Sequence, residues 1–339
     1  MIKLHPIFQL REEPTEAIIE LLESVTLGTN GAQYRHLDTR RHIQQVDQPL
    51  FLSLERNDRV LGNVTFCRRN GHWYIRYFAF DSLLQSGGKT KTRSKEGRLK
   101  SELNHFFDSV LNGEFGESVD RFYAYIDPRN AKSLWMSETL GFVPCSTLVT
   151  QTFSRRKPNR NTRVKEHQDW KPFSQMVRSK FGAYRFYLED HTSRAPFYAI
   201  HDTDGNCIAF AKARIANWAI DRLPGYLGKL NVHLIPFIPV IRRLIQPKQH
   251  RFAVLEAVIV KDNDPALLTE LYEGILSHAR TNASIWWVDK TDALYTATKS
   301  KMNWGVLDKI TGRAEVMVVE KGKPSNVQTP VFTSGFDFV

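Results

Sequence analysis

The chain has 339 residues, enough for two domains of ordinary size, each with its own core. Hydrophobic residues make up 42% and charged residues 24%, which excludes a wholly disordered, collagen-like or coiled-coil chain. The net charge is +11, and its placement says more than its size. Residues 89–100 carry Lys89, Lys91, Arg93, Lys95, Arg98 and Lys100 against Glu96, or +5. Residues 155–165 carry Arg155, Arg156, Lys157, Arg160, Arg163 and Lys165 with no acid, or +6, so the rest of the chain is formally neutral. Such runs are solvated loops on the plain reading and a polyphosphate-binding surface on the functional one. Neither interleaves aromatics as single-strand binders do, and no zinc-finger or RNP pattern accompanies them. Nucleic acid therefore ranks below a phosphorylated cofactor.

Cys67, Cys145 and Cys207 are odd in number and scattered, which excludes a disulfide framework and offers no ligand cluster. No metal site is expected. The N-terminus lacks the apolar stretch of a signal peptide, so a cytoplasmic protein is expected.

In chain order, Pro14–Val25 has helical spacing, with Ile18, Leu21, Leu22 and Val25 on one face. Leu50–Leu54 and Val60–Phe66 flank the polar turn Glu55–Arg59 and predict a β-hairpin. Trp73–Phe80 reads as an aromatic strand, and a helix is expected from about Leu99 to Leu111. A strand Phe122–Ile126 leads into Asp127-Pro128, and a helix Ala131–Leu140 stops at Gly141. Cys145–Phe153 is expected to be the final strand of the first half. The run 155–165 contains Pro158 and has the composition of a linker.

The second half repeats that order. Phe173–Phe186 reads as helical. Phe197–Ile200 and Cys207–Ala213 flank the turn Asp202–Asn206, and Phe252–Val260 is a strand. Pro265–Ala279 is a helix, Ser284–Val288 a strand, Asp292–Lys301 a helix, and Ala314–Val319 the closing strand. The expected layout is a first domain over 1–154, a basic linker over 155–166, a second domain over 167–323 and a tail over 324–339. The tail reads as irregular packing or a loose end. Residues 224–245 are the most apolar stretch, but Pro224, Lys229, His233, Pro236 and Pro239 argue against a membrane span. A buried or cleft-lining segment is expected there. Contact of Arg242, Arg243 and Lys248 with anionic lipid ranks below it.

One stretch is specific. Asn130-Ala-Lys-Ser-Leu-Trp-Met-Ser-Glu-Thr-Leu-Gly141-Phe142 follows a strand, and it resembles the strand–Asn–helix–Gly-Phe segment of the GNAT (Gcn5-related) N-acyltransferases. Asn130, Gly141 and Phe142 fall in register, with Ser133 where a small residue is usual. The order of elements over about 10–153 agrees, and the second half follows it more weakly. By itself the stretch also suits a helix with an Asn N-cap and a Gly stop.

The resemblance implies an α/β (α+β) fold: two GNAT-like acyl-CoA N-acyltransferase domains, each a mixed central sheet flanked by helices. It implies transfer of an acyl group from acetyl-CoA or another acyl-CoA, a substrate rather than a resident cofactor, to a small-molecule or peptide amine. The family commonly places a thiolate-protonating Tyr where Ser137 stands. Ser137 is a poorer acid, so Tyr123 and Tyr125 on the preceding strand are the substitutes, with a core role as the alternative for each. Asp81, ending the central strand, is the candidate base, or else a turn residue. For the cofactor diphosphate the resemblance points to Gln85, Gly87, Gly88 and Lys89, and nearer the helix start to Arg93, Gly97 and Arg98, with Asn130 beyond. Backbone N–H groups and a helix N-terminus serve such a phosphate.

The second half has no glycine-rich loop. Asp262 and Asp264 would repel a diphosphate and suit helix capping, so that half is expected to lack the usual coenzyme A site. Glu256 there is a base by resemblance and otherwise a strand-face residue. Two rivals to the transferase stand: a non-catalytic GNAT-fold binding protein, and an RNA- or membrane-surface binder using the basic runs.

Overall fold

The computed structural model describes residues 4–338 apart from 29–30, 47, 58, 70, 81–92, 117, 190–194, 224, 226, 240 and 324–327, with backbone alone for 93–99 and 231. The strands are β1 (Phe8–Arg11), β2 (Gln33–His36), β3 (Pro49–Arg56), β4 (Arg59–Arg69), β5 (His72–Phe80), β6 (Arg121–Ile126), β7 (Val143–Ser154), β8 (Lys165–His167), β9 (Phe197–His201), β10 (Cys207–Arg222), β11 (His250–Val260), β12 (Ala283–Asp289) and β13 (Ala314–Gly322). The helices are α1 (Glu16–Glu23), α2 (Thr39–Gln44), α3 (Arg93–Leu111), α4 (Ala131–Thr139), α5 (Lys171–Phe181), α6 (Gly228–Leu234), α7 (Pro265–Ala279), α8 (Ala293–Thr298), α9 (Val306–Thr311) and α10 (Gly335–Phe338).

The chain divides into two compact units. The first comprises Met1–Leu27, Thr39–Cys145 and Met317–Asn326, and the second Gly28–Asp38, Ser146–Val316 and Val327–Val339. In the first, β1, β3, β4 and β5 pair antiparallel in that order, β6 lies parallel to β5, and β13 pairs antiparallel with β6. One face is covered by α3, whose Leu103, Phe106, Phe107 and Val110 are buried against Phe66, Trp73 and Phe122. The Phe107 and Phe122 rings meet edge-on at 4.8 Å, a favoured aromatic geometry. The opposite face carries Tyr77 and Ala79 under Ile18, Ile19 and Leu22 of α1. Thr15 caps α1 by accepting from the Ile18 N–H at 3.3 Å.

In the second unit the order is β7, β12, β11, β10, β9, β8, and β2 adds to β10. The β11–β12 pair is parallel, joined by the crossover helix α7, and the other described strand pairs of this unit are antiparallel. Leu268, Leu271, Tyr272 and Ile275 of α7 are buried against that sheet.

Two strands close the unit opposite to the one sequence order suggests. Cys145–Phe153, expected to end the first half, instead pairs through Leu148–Ser154 with β12 in the second unit. Ala314–Val319, expected to close the second half, pairs through Met317–Gly322 with β6 in the first. Alternation places a strand's faces but does not name its partner. The helix α3 also starts at Arg93, six residues before Leu99. The cations over 93–98 carry no apolar periodicity, so those turns left no signal. The stretch 224–245 is a further correction. It buries Val232, Ile235, Leu244 and Ile245 but leaves Leu227, Leu230, Leu234, Phe237 and Ile238 exposed.

The basic stretch after β7 is tied to α7. Arg155 pairs with Glu273 at 2.7 Å, and Arg163 with Glu270 at 2.7 Å.

Candidate functional site

The first unit's parallel pair is short. His72–Ile75 of β5 register with Arg121–Ala124 of β6, and no described residue of either strand pairs with the other beyond them. The cause lies on the other edge of β5. Its register with β4 shifts between Phe66, opposite Ile75, and Thr65, opposite Tyr77, so Arg76 is an extra residue. A bulge bends and twists its strand and re-aims the residues beyond it. The backbone of β5 past Ile75 thus keeps its β4 partners, while among the described residues its register with β6 ends at Ile75. Tyr125 and Ile126 of β6 register with Val318 and Met317 of β13. The crossover from β5 to β6 is α3, and a helix that returns the chain for a parallel strand begins at the strands' C-terminal ends. The N-terminus of α3 therefore belongs to the end where β5 and β6 part.

Four tyrosines and two arginines gather on β5, β6 and the adjoining end of β4. Tyr74 and Tyr123 stack at 5.3 Å, and Tyr125 lies 5.1 Å from Tyr74 and 5.9 Å from Tyr123. Arg69 donates from Nη1 to the Tyr123 hydroxyl, and its guanidinium lies 5.0 Å from the Tyr74 ring centre. Arg76 lies 5.1 Å from the Tyr77 ring centre. Tyr123 is fully buried, whereas Tyr125 is half-buried and stands one residue past the last paired position. Asp127 follows β6. Burial pushes its carboxyl up, but hydrogen bonds from the Arg129 Nε (2.9 Å), Nη2 (2.8 Å) and backbone N (2.9 Å) outweigh that and hold it below the usual range.

Of the residues singled out from sequence, Asp81, Gln85, Gly87, Gly88 and Lys89 lie outside the described residues. Arg93, Gly97 and Arg98 are in the opening turns of α3, and their side chains lie outside the described part. Tyr123 and Tyr125 are together, as above. Asn130 is the N-cap of α4, its Oδ1 accepting from the Ser133 N–H at 3.1 Å. Ser137 is buried on α4, and its hydroxyl donates to the Leu134 carbonyl at 2.8 Å. Gly141 takes φ 79° after α4, and the Phe142 N–H closes back on the Ser137 carbonyl at 2.9 Å. Sequence reading missed Arg69, Tyr74 and Arg76. A signal existed for Arg76, a cation in the midst of the aromatic run Trp73–Phe80.

The second unit repeats the geometry with a different ending. Its parallel pairing covers only Ala253–Leu255 against Ser284–Trp286. The β10–β11 register shifts after Phe210, and Ala257 takes φ 50°. Past the parting, the C-terminal segment crosses between the strands. The Val331 N–H donates to Asp289 Oδ2 (2.8 Å), Thr333 Oγ1 to the Trp287 carbonyl (2.8 Å), and Ser334 Oγ to Glu256 Oε2 (3.2 Å). Glu256 also accepts from the Gly335 N–H and pairs with Lys212 at 3.0 Å, both side chains buried. Asp264 caps α7 by accepting from the Ala266 N–H at 2.9 Å. Among the described residues no group of three His, Cys, Asp or Glu side chains is placed to hold a metal.

No family model matches the sequence, and no curated protein does. Solved structures do match in fold. Saccharomyces cerevisiae N-myristoyltransferase with bound myristoyl-CoA superposes with a TM-score of 0.54 at 9% identity, covering 94% of this chain and 83% of that one. A GCN5-related N-acetyltransferase from Sphaerobacter thermophilus gives 0.50 at 12% identity, covering 96% and 100%. The chain has the GNAT acyltransferase fold, in two halves.

Proposed function

From that fold we propose that the protein is an acyl-CoA-dependent N-acyltransferase whose acyl donor sits in the first unit, where β5 and β6 part. The parting at the Arg76 bulge is the observation that carries this reading. Where the β5–β6 register ends, an extended ligand that carries amides of its own, as the pantetheine arm does, could align between the two strands. The diphosphate would lie at the N-terminus of α3. Arg93 and Lys95 in its opening turns oppose the helix dipole unless an anion sits between them, which a diphosphate would do. Gln85, Gly87, Gly88 and Lys89 lead into that end of the helix.

In the reaction the acceptor amine attacks the thioester carbonyl. A C–N bond forms, the C–S bond breaks, and the coenzyme A thiolate leaves and takes up a proton. Backbone N–H groups of β5 at the bulge would stabilise the oxyanion. Tyr125, half-buried one residue past the last β5–β6 register, is more accessible than the fully buried Tyr123 for protonating the thiolate. Asp81, directly after β5, would receive the amine proton. The acceptor is a small-molecule or peptide amine. A cytoplasmic setting is part of the proposal, supported by a cysteine content, three and scattered, that does not suit a disulfide framework.

A thermal-shift titration with coenzyme A, acetyl-CoA and myristoyl-CoA tests the site, followed by thiol release with an amine panel. Ligand at about 100 times its dissociation constant adds roughly 2.7 kcal/mol of stability. A saturable shift that falls in a Lys/Arg→Ala variant of residues 89–98 supports the reading. No shift with any of the three overturns it. Binding without turnover on any amine would favour a non-catalytic binding protein, a reading that the inward-bonded Ser137 hydroxyl supports.

A further inference from the structure

The second unit contains one surface of unusual composition. From Arg222 to Arg251 the chain has no Asp or Glu, against Arg222, Lys229, Arg242, Arg243, Lys248 and Arg251. Within it Leu227, Leu230, Leu234, Phe237 and Ile238 are exposed, Phe237 to 81%. Those five are nearly half of the eleven large hydrophobic side chains exposed among the described residues, and they fall within 12 residues of chain. Leu230 and Leu234, four apart, lie along one side of α6, and Leu227 directly precedes it. Lys229, Arg242, Arg243 and Lys248 are exposed with them.

The segment is built to hold this arrangement. Val232, Ile235, Leu244 and Ile245 are buried beneath it. The Arg242 N–H bonds the Ile238 carbonyl at 3.0 Å, the Leu244 N–H the Ile241 carbonyl at 2.8 Å, and the Ile220 N–H the Pro247 carbonyl at 2.7 Å. A Cβ at Gly228 would lie 1.9 Å from the Leu223 carbonyl oxygen, so only glycine lets α6 start where it does. The apolar side chains thus stand out from a fixed base. Among the described residues no helix is long and apolar enough to cross a membrane, and α6 has only 7 residues.

We infer that residues 227–248 form a docking surface for an anionic lipid bilayer. Apolar side chains rimmed by cations, with no acid among them, match the two layers such a surface presents: acyl chains below and negative headgroups above. A greasy protein groove would accept Phe237 and Leu234, but the acid-free cationic rim complements headgroups. This reading is independent of the acyl-transfer proposal.

The test is vesicle flotation of the full chain. The vesicles are pure phosphatidylcholine, and phosphatidylcholine with an equal part of phosphatidylserine, at low and high salt. The variants are L234S/F237S and R242A/R243A, and their melting temperatures should stay at that of the wild type because the four side chains are exposed. The wild type should float with the anionic vesicles, less so at high salt. At about fivefold per cation near such a surface, R242A/R243A should bind about 25-fold more weakly. L234S/F237S should bind more weakly on the same vesicles. Absence of flotation at low salt overturns the inference, as does binding unchanged in both variants. Binding lost instead on neutralising Arg155, Arg156 and Lys157 would move the contact to the other basic run and equally overturn it. A wild-type dimer that L234S/F237S converts to monomer would overturn it too, by showing that a second copy covers this face.

Discussion

The ion pair beneath the C-terminal segment gives the sharpest quantitative test of the fold. Lys212 is 2% exposed and Glu256 5%, with Nζ and Oε1 3.0 Å apart. The second carboxylate oxygen of Glu256 accepts from Ser334 Oγ and the Gly335 N–H. Removing one partner of such a pair strands the other charge in a dry interior, which costs about 3–5 kcal/mol. Glu256→Gln and Lys212→Met should each lose that much. The double variant removes both charges and keeps a Gln oxygen as acceptor for the Gly335 N–H, so it should lose only about 1–2 kcal/mol. At about 2–4 °C per kcal/mol for a unit of this size, each single variant should melt about 10 °C below the wild type and the double within a few degrees of it. Thermal and urea unfolding followed by tryptophan fluorescence report on the right place. Trp287 meets Phe338 edge-on at 4.6 Å, and Trp218 stacks on it at 5.0 Å. A double variant as unstable as the two singles summed would refute the coupling, and with it the view that this pair anchors the tail.

Further outcomes rest on the same physics. Tyr125→Phe should reduce acyl transfer by about 10²–10⁴-fold with little effect on melting, because a general acid is removed from a half-buried position. Tyr123→Phe should do the opposite, costing about 1–2 kcal/mol of stability by deleting the acceptor of Arg69 while leaving turnover largely intact. Equal rate losses would reject this division of roles. Gly141→Ala should cost about 1–2 kcal/mol, and Gly141→Asn less: φ is 79° and no atom lies within 4 Å of an added Cβ, so the penalty is purely conformational. Burial lowers the His250 imidazole from 6.5 to about 4. Between those values the unfolded chain binds a proton that the native state refuses, so stability falls as pH drops through this window and levels off below it. The full loss is about 3 kcal/mol, and a His250→Gln variant measured by urea denaturation at each pH should lack it.

Much of the local structure was legible. The run Trp73–Phe80 predicted β5, Phe122–Ile126 predicted β6, and Ala131–Leu140 with its Asn and Gly punctuation predicted α4, each within one residue. These signals are local: aromatic strands, a capping amide, a glycine at positive φ. Partnership was not legible. The residues Leu148–Ser154 and Met317–Gly322 have the composition of strands, yet nothing in that composition says which unit each one joins. Residues Gln33–His36 were missed altogether, because four residues with one aromatic carry too little pattern to announce a strand. At the site, Tyr123 and Tyr125 were visible as tyrosines on one strand. The company of Arg69 and Tyr74 depends on the registers of β4 with β5 and of β5 with β6, which only the assembled sheet determines.

The two units solve the same problem differently, and the difference favours assigning the donor site to the first. Each has a parallel pair whose described register covers three or four residues and ends beside a bulge. Polar groups at such a place must find partners, since leaving them dry and unbonded is costly. In the second unit the chain supplies its own: residues 331–335 bond Asp289, Trp287 and Glu256 across the gap, and Phe336 and Phe338 are buried behind them. The helix after that gap opens with Asp262 and Asp264 nearby, and Asp264 spends its carboxylate on the Ala266 N–H. That end is filled and negative. In the first unit the described register of β5 with β6 ends at Ile75 and Ala124, and the helix that follows opens with Arg93, Lys95 and Arg98 against Glu96. Cations at a helix start work against the dipole by about 0.3–1 kcal/mol each, and an extended, amide-bearing diphosphate would offset that cost.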